Sequence, residues 1–398
     1  MDATFENGAL LLLIAAVVAI VSRRLRLPYS VGLVIAGIVL ALFPFAPRIT
    51  LTKELLFTVL LPPLIFEAAF YLNWKELRSV LGVIVVLASV GVGLSAAITA
   101  AGMHFLADWP WTAAVVFGVL IAATDPVSVI ATFKEAGARG RLLLLVESES
   151  LFNDGTAAVA FGVALELALG HALTPSQMAL RFVLSAGGGI LCGAAIAGAM
   201  LLLAGRTQDH LVEIAFTTVA AYGSFLAAEK LHVSGVLATL TAGVMLGNIG
   251  SLGVITSRGR EAVEAFWEYA AFASNSFVFL LIGMREAHQN FFSGWRVVLL
   301  AIALVTLGRA AAVYPCCALF ARSASRVPTR HQHVLFWGGL RGALALALAL
   351  ALPPEVPQRD LIVTASFAVV AFSVFVQGLT ITPLLRRFGE IPTQKATL

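Results

Sequence analysis

Thirteen long apolar runs, separated by short polar segments, limit what this chain can fold into more than any other feature. A helix needs about 17–25 predominantly apolar residues to span a bilayer. The runs fall at approximately 8–22, 29–46, 54–72, 77–106, 111–134, 142–170, 180–204, 209–229, 233–248, 261–285, 294–321, 331–352 and 361–386. In hydrocarbon each backbone N–H and C=O must be paired within the protein, so runs of this length predict helices rather than strands. Composition agrees, with 60% of the 398 residues hydrophobic and 12% charged, against roughly 45–50% apolar and about 25% charged in soluble domains. We therefore expect an all-α polytopic membrane protein.

The first run is not a signal peptide on this reading, because Arg23, Arg24 and Arg26 follow it and no small-residue cleavage site does. Basic residues between the runs set an orientation. One set of loops with the C-terminal tail carries seventeen Lys and Arg, among them Arg48's opposites Lys75, Arg78, Lys134, Arg139, Arg206 and Lys395, while the other set carries seven. The excess predicts an outside N-terminus and a cytoplasmic C-terminus. The net charge of +4 is distributed as such loop clusters, which argues against a nucleic-acid partner. Cys192, Cys316 and Cys317 have no metal-ligand spacing and do not read as a disulfide framework.

Two runs are interrupted in corresponding places, span five by "ATDPVS" and span twelve by "WGGLRGA". Paired broken spans are a sequence pointer to a transporter site, since irregular backbone at membrane depth is tolerated only beside protein or a water-filled cavity. Pro126 removes a donor and disfavours helix at Asp125, so carbonyls near Thr124 are expected to face that cavity as oxygen ligands. Span six carries "ESESLFNDG". Glu147, Ser150 and Asp154, three and then four apart, share one helix face, and Glu149 and Asn153 share another. Asp154 falls about 18 Å into the span at ~1.5 Å per residue, near the middle of a ~30 Å core. A carboxylate there costs several kcal/mol unless paired, hydrated or protonated, which makes it the leading functional candidate.

Two arginines also lie inside spans, Arg309 and Arg341, and each needs an acid, carbonyls or water. The residues alone permit either as the partner of Glu149. We assign the structural ion pair to Glu149 and Arg309, and Arg341 to the interrupted backbone. Glu67, after the proline pair of "LLPPLIFEAAF", reads equally as a cavity acid or an interfacial one. Glu147 lies on the Asp154 face nearer the cytoplasm and reads as a solvated acid. The seven histidines fall near span ends and read as solvated or interfacial, with His331 and His333 the candidates for pH sensing. Gly189 and Gly193 form a G-x-x-x-G spacing that permits close helix approach, a weak pointer to a dimer face.

One central carboxylate beside Ser, Thr and an unwound backbone suits a hard cation, and the same carboxylate can hold a proton. Competition of the two for Asp154 is enough to couple their movements. With Asn153 rather than a second acid beside it, the simplest exchange is one cation for one proton, without net charge movement.

The motifs "FEAAF", "TDPVSVIATFKEAG", "ESLFNDGTA", "GRAAAVYP" and "FWGGLRGALALALAL" resemble the NhaP-type sodium/proton antiporters, relatives of the animal sodium/proton exchangers, from about residue 55 onward. The resemblance implies an inverted-repeat fold of about thirteen helices with two discontinuous crossing helices, working as a homodimer by alternating access. It implies dimerisation helices in 1–76 and 209–285, core helices in 77–170 and 294–388, a linker helix in 180–204 and a short tail in 389–398. By the family pattern Asp154 binds ion and proton, and Asn153 is its partner in the pair associated with electroneutral exchange. Thr124, Asp125 and Ser150 line the site and Glu67 reaches it, so that Asp154, Ser150, Thr124 and Glu67 are the expected Na+ ligands; Glu149, Arg309 and Arg341 support them. Glu147 departs from the animal pattern, which has an apolar or small residue there. The short tail fits a prokaryotic plasma membrane. No cofactor is expected; the partners are cation, proton and bilayer.

The alternatives are a potassium/proton antiporter on the same scaffold and a passive cation channel. An intramembrane hydrolase is disfavoured, because there is no H-E-x-x-H and the serine of "HVSGV" lacks the glycine of a G-x-S-G pattern.

Overall fold

The computed structural model describes residues 2–25, 27–43, 52–125, 129–130, 132–133, 140–204, 208–250, 255–287 and 294–391. Of the residues weighed above, Arg26, Arg48, Pro126, Lys134, Arg139, Arg206, His288 and Lys395 lie outside the described residues.

Among the described residues, thirteen helices fall on the thirteen runs. They are α1 (Asp2–Leu25), α2 (Tyr29–Ala41), α3 (Leu55–Tyr71), α4 (Trp74–Ala107), α5 (Trp111–Leu120), α6 (Arg141–Ala168), α7 (Pro175–Ala204), α8 (His210–Lys230), α9 (Gly235–Ile249), α10 (Ser257–Glu286), α11 (Trp295–Ala318), α12 (Thr329–Leu350) and α13 (Arg359–Arg387). Nine of them are long and apolar enough to cross a membrane, and α2, α3, α5 and α9 are shorter apolar helices. The outer surface is apolar, with Leu13, Leu184, Leu202 and Leu319 largely exposed. Polar side chains such as Thr99, Ser148, Glu149 and Asn153 are buried instead, the pattern expected where the solvent is lipid.

Two groups of packed helices are evident. In one, α4 lies on α5 and α11, α5 on α6, and α11 on α13; in the other, α10 lies along α2, and α9 lies between α3 and α7 with α8 beside them. The site helix α6 touches the second group at α3, α7 and α9. Without a hydrophobic force between helices in lipid, contact depends on close approach at small residues. A Cβ on Gly37 would meet Leu280 O at 2.2 Å, and one on Gly283 would meet Val34 O at 2.2 Å, so α2 and α10 touch backbone to backbone.

The Gly189 and Gly193 expectation is corrected by the same logic. Cβ atoms there would lie 2.5 Å from Ser234 O and 2.1 Å from Ala238 O. The G-x-x-x-G face is therefore spent within the chain, seating α7 on α9.

Prolines shape α3. It opens with wide, π-type turns over Leu55–Leu60, just before Pro62 and Pro63. Pro63 cannot donate to Val59 O, four residues back, and the Tyr222 hydroxyl from α8 donates to that carbonyl instead at 3.1 Å. His331 also departs from the expected solvated position. The chain turns back at Gly389 (φ 72°) and brings Glu390 Oε1 to 3.2 Å from His331 Nε2 and 3.1 Å from Arg330 Nε, leaving His331 buried.

Candidate functional site

The two interrupted spans meet. Helix α5 stops at Leu120 and continues non-helically through 123–125, and α12 divides into Thr329–Gly338 and Ala343–Leu350. In the gap of α12 a tight turn centred on Gly339 (φ −76°, ψ 65°) has Leu340 N donating to Gly338 O at 2.9 Å. This is the inverse γ geometry. The breaks are joined by Asp125 N donating to Leu340 O at 2.7 Å.

Each break also supplies a charge to a helix end of the other. Arg341 Nη1 donates to Ala122 O (2.6 Å) and Ala123 O (3.0 Å), just past the C-terminus of α5. Asp125 Oδ2 accepts from Ala343 N, the first residue of the second half of α12, at 3.5 Å. Cations at helix C-termini and anions at N-termini are the favourable combination, so freed backbone groups at membrane depth are satisfied by one residue from the opposite strand of the crossing. The approach leaves no room for a side chain at Gly342, where a Cβ would meet Asp125 Oδ2 at 2.0 Å.

Helix α6 runs past this crossing, and the two faces read from its spacing diverge. On the inner face, Arg309 donates to Glu149 through both terminal nitrogens, Nη1 to Oε1 at 2.7 Å and Nη2 to Oε2 at 3.0 Å, while Nη2 also donates to Leu335 O at 2.8 Å. Glu149 thus pairs with Arg309, and Arg341 serves the broken backbone. Asn153 Nδ2 donates to Glu149 Oε1 and to Thr124 Oγ1, both at 3.3 Å, linking the ion pair to the first break.

The other face borders a cavity of about 270 Å3. Glu67, Thr124, Asp125, Glu147, Ser150 and Asp154 all line it. Ser150 Oγ donates to Thr124 O at 2.7 Å, so its one proton is committed and its lone pairs remain for a ligand. The Thr124 carbonyl is therefore not a fully free ligand, as the sequence suggested, but is shared with Ser150. Asp154 Oδ1 is buried with no hydrogen-bond partner among the described residues. Both arginines are engaged elsewhere, Arg309 by Glu149 and Arg341 by the carbonyls of the first break.

Asn153 does not line the cavity; its role is in the network behind it. Two lining residues escaped the sequence reading, Glu268 and Asn275 on α10. Their separation of seven residues puts them on one helix face, a signal that was available, but nothing in the chain says that this face looks toward α6. A further buried acid, Glu213, accepts from Thr256 N at 3.1 Å and Thr256 Oγ1 at 3.2 Å at the start of α10 and is a structural cap.

Two broken helices crossing beside a membrane-buried carboxylate define a secondary ion transporter. The sequence profile described as sodium/hydrogen exchanger, transmembrane, matches residues 10–387, and the chain belongs to that family; it is a transporter, not an enzyme. It is 38% identical over 368 residues to the Na(+)/H(+) antiporter ApNhaP of Aphanothece halophytica, covering 92% of this chain and 70% of that one. It is also 38% identical over 379 residues to the low-affinity Na(+)/H(+) antiporter NhaS1 of Synechocystis, covering 94% and 72%. Its fold resembles the sodium proton antiporter MjNhaP1 of Methanocaldococcus jannaschii with a TM-score of 0.73 at 20% identity, over 98% of this chain and 97% of that one.

Proposed function

We propose that this protein exchanges Na+ for H+ across a membrane, one for one, with the two ions taking turns on Asp154. The observation that carries the reading is the Asp154 carboxylate, opening on the cavity with an unpartnered oxygen while Arg309 and Arg341 are held by other groups. The relatives that match over most of the chain are named as Na(+)/H(+) antiporters.

Asp154, Ser150 and Thr124 offer the carboxylate, hydroxyl and carbonyl oxygens that hard cations take, with Glu67 the fourth ligand. Asp125 holds the crossing together at the edge of the site, and Asn153, Glu149, Arg309 and Arg341 keep it in shape. A carboxylate that binds a proton has no negative charge for a cation, so the occupied states exclude each other. Na+ and H+ each bring one positive charge to the same carboxylate, and Asn153 beside it is neutral, so the site carries the same net charge with either ion. That equality makes exchange electroneutral.

For alternating access, α4–α6 with α11–α13 form the moving unit. Helices α1–α3 and α8–α10 form the static unit of a homodimer, and α7 links the two. The protein sits in a prokaryotic plasma membrane with its N-terminus outside and C-terminus in the cytoplasm.

The test is reconstitution in liposomes with a pH-sensitive dye, adding Na+, Li+ or K+ to one side. The expected result is alkalinisation or acidification driven by Na+, with a rate at symmetric pH that does not change when a membrane potential is imposed. Proton movement driven by K+ alone would replace the ion assigned. Rates that follow the potential would end the one-for-one stoichiometry, and cation flux without counter-movement of protons would make the protein a channel.

A further inference from the structure

A second, larger space of about 690 Å3 lies between α4 and α6 on one side and α7 and α9 on the other. Phe152, Phe182, Ile190 and Val244 are in its wall. The polar side chains in the wall have donors committed within the protein. The hydroxyls of Ser89, Thr156 and Thr241 donate to Val85 O, Phe152 O and Leu237 O within their own helices. Asn248 donates to Leu72 O and Val244 O and accepts from Trp74 N, each at 2.8 Å.

Such a wall offers water only a few acceptor lone pairs, so the space favours an apolar occupant. Left empty, its lining forgoes dispersion contacts along its whole length. The exposure of Val85 (47%) and Ile190 (46%) shows that it opens sideways, through the apolar outer surface, rather than being sealed. At one end Trp74 is exposed, followed by exposed Lys75 and Arg78. An aromatic ring beside cations is the arrangement that suits the boundary between acyl chains and anionic headgroups.

We propose that this groove binds a bilayer phospholipid, with an acyl chain filling the space and the headgroup phosphate near Lys75 and Arg78. Because one wall belongs to the site helix α6 and its neighbour α4 and the other to α7 and α9, the lipid forms part of the contact between the two helix groups. The inference does not depend on which ion is exchanged.

The test is native mass spectrometry of the protein purified in dodecyl maltoside and incubated with palmitoyl-oleoyl phosphatidylglycerol. Ala186→Trp and Thr241→Phe each fill the groove from a different helix, and Leu184→Trp adds the same bulk on the outward face of α7. Wild type and Leu184→Trp should retain the phospholipid, and both groove variants should lose about tenfold, the ratio that corresponds to ~1.4 kcal/mol of lost contacts. Equal retention by all four proteins, or none by the wild type, would overturn the proposal.

Discussion

Asp154→Asn is expected to abolish cation-driven proton movement in liposomes while leaving a folded protein. The substitution keeps the shape of the side chain but removes both things the mechanism asks of it, a negative charge for the cation and an oxygen that takes a proton. It also brings amide donors to the place where a cation needs acceptors. The fold does not lean on this carboxylate: Arg341 is held by Ala122 O and Ala123 O, Ser150 by Thr124 O, and Glu149 by Arg309. Activity should therefore fall to the level of empty liposomes with no loss of melting temperature or change in elution volume. Exchange resembling wild type would sink the assignment of Asp154.

The second large effect is on stability. Arg309→Ala leaves Glu149 buried without its two charged donors and leaves Leu335 O without a partner. Removing one member of such a pair commonly costs about 3–5 kcal/mol. Glu149→Gln should be costly for the converse reason, because the Arg309 charge stays behind in a pocket closed to water. Replacing both at once, Glu149→Leu with Arg309→Met, should destabilise less than the two single losses added together, since no lone charge remains. Thermal melting of the four proteins in one detergent gives the comparison. If the single variants melt like wild type yet do not transport, Glu149 belongs to the ion path and not to the scaffold.

The sequence was most legible where one physical constraint acts alone. The thickness of the bilayer fixes the length of an apolar run, so most of the thirteen helices could be placed to within a few residues; α5 stops at Leu120, well short of 134, where the chain breaks at the crossing, and α7 starts at Pro175 rather than 180 because the helix extends past its apolar part. Helical spacing separated the Asp154 face from the Glu149 face, and the structure sends these faces to different surroundings, a cavity and an ion pair. What spacing does not give is the neighbour. Glu268 and Asn275 are on one face of α10, but their approach to Asp154 is decided by how α10 packs along α2 and α3. The same ignorance made the Gly189 and Gly193 pair look available for a second copy of the chain, when α9 already occupies it.

Proline posed a similar difficulty. The pair Pro62 and Pro63 announces a missing donor, yet the donor that compensates comes from Tyr222, 163 residues away from Val59. His331 was misread because its position near a span end says nothing about a chain that returns to cover it with Glu390. In each case the local signal was correct and the tertiary partner decided its meaning.

The claim on which the rest depends is that proton and cation compete for one carboxylate. It is tested most directly by the apparent KM for Na+, measured in liposomes over a range of equal inside and outside pH. Competition at a single site predicts that, on the acid side, KM rises about tenfold for each unit by which pH falls, while the maximal rate at saturating Na+ stays constant. A KM that does not change with pH, with the maximal rate changing instead, would place the proton on a different group and contradict the shared site at Asp154.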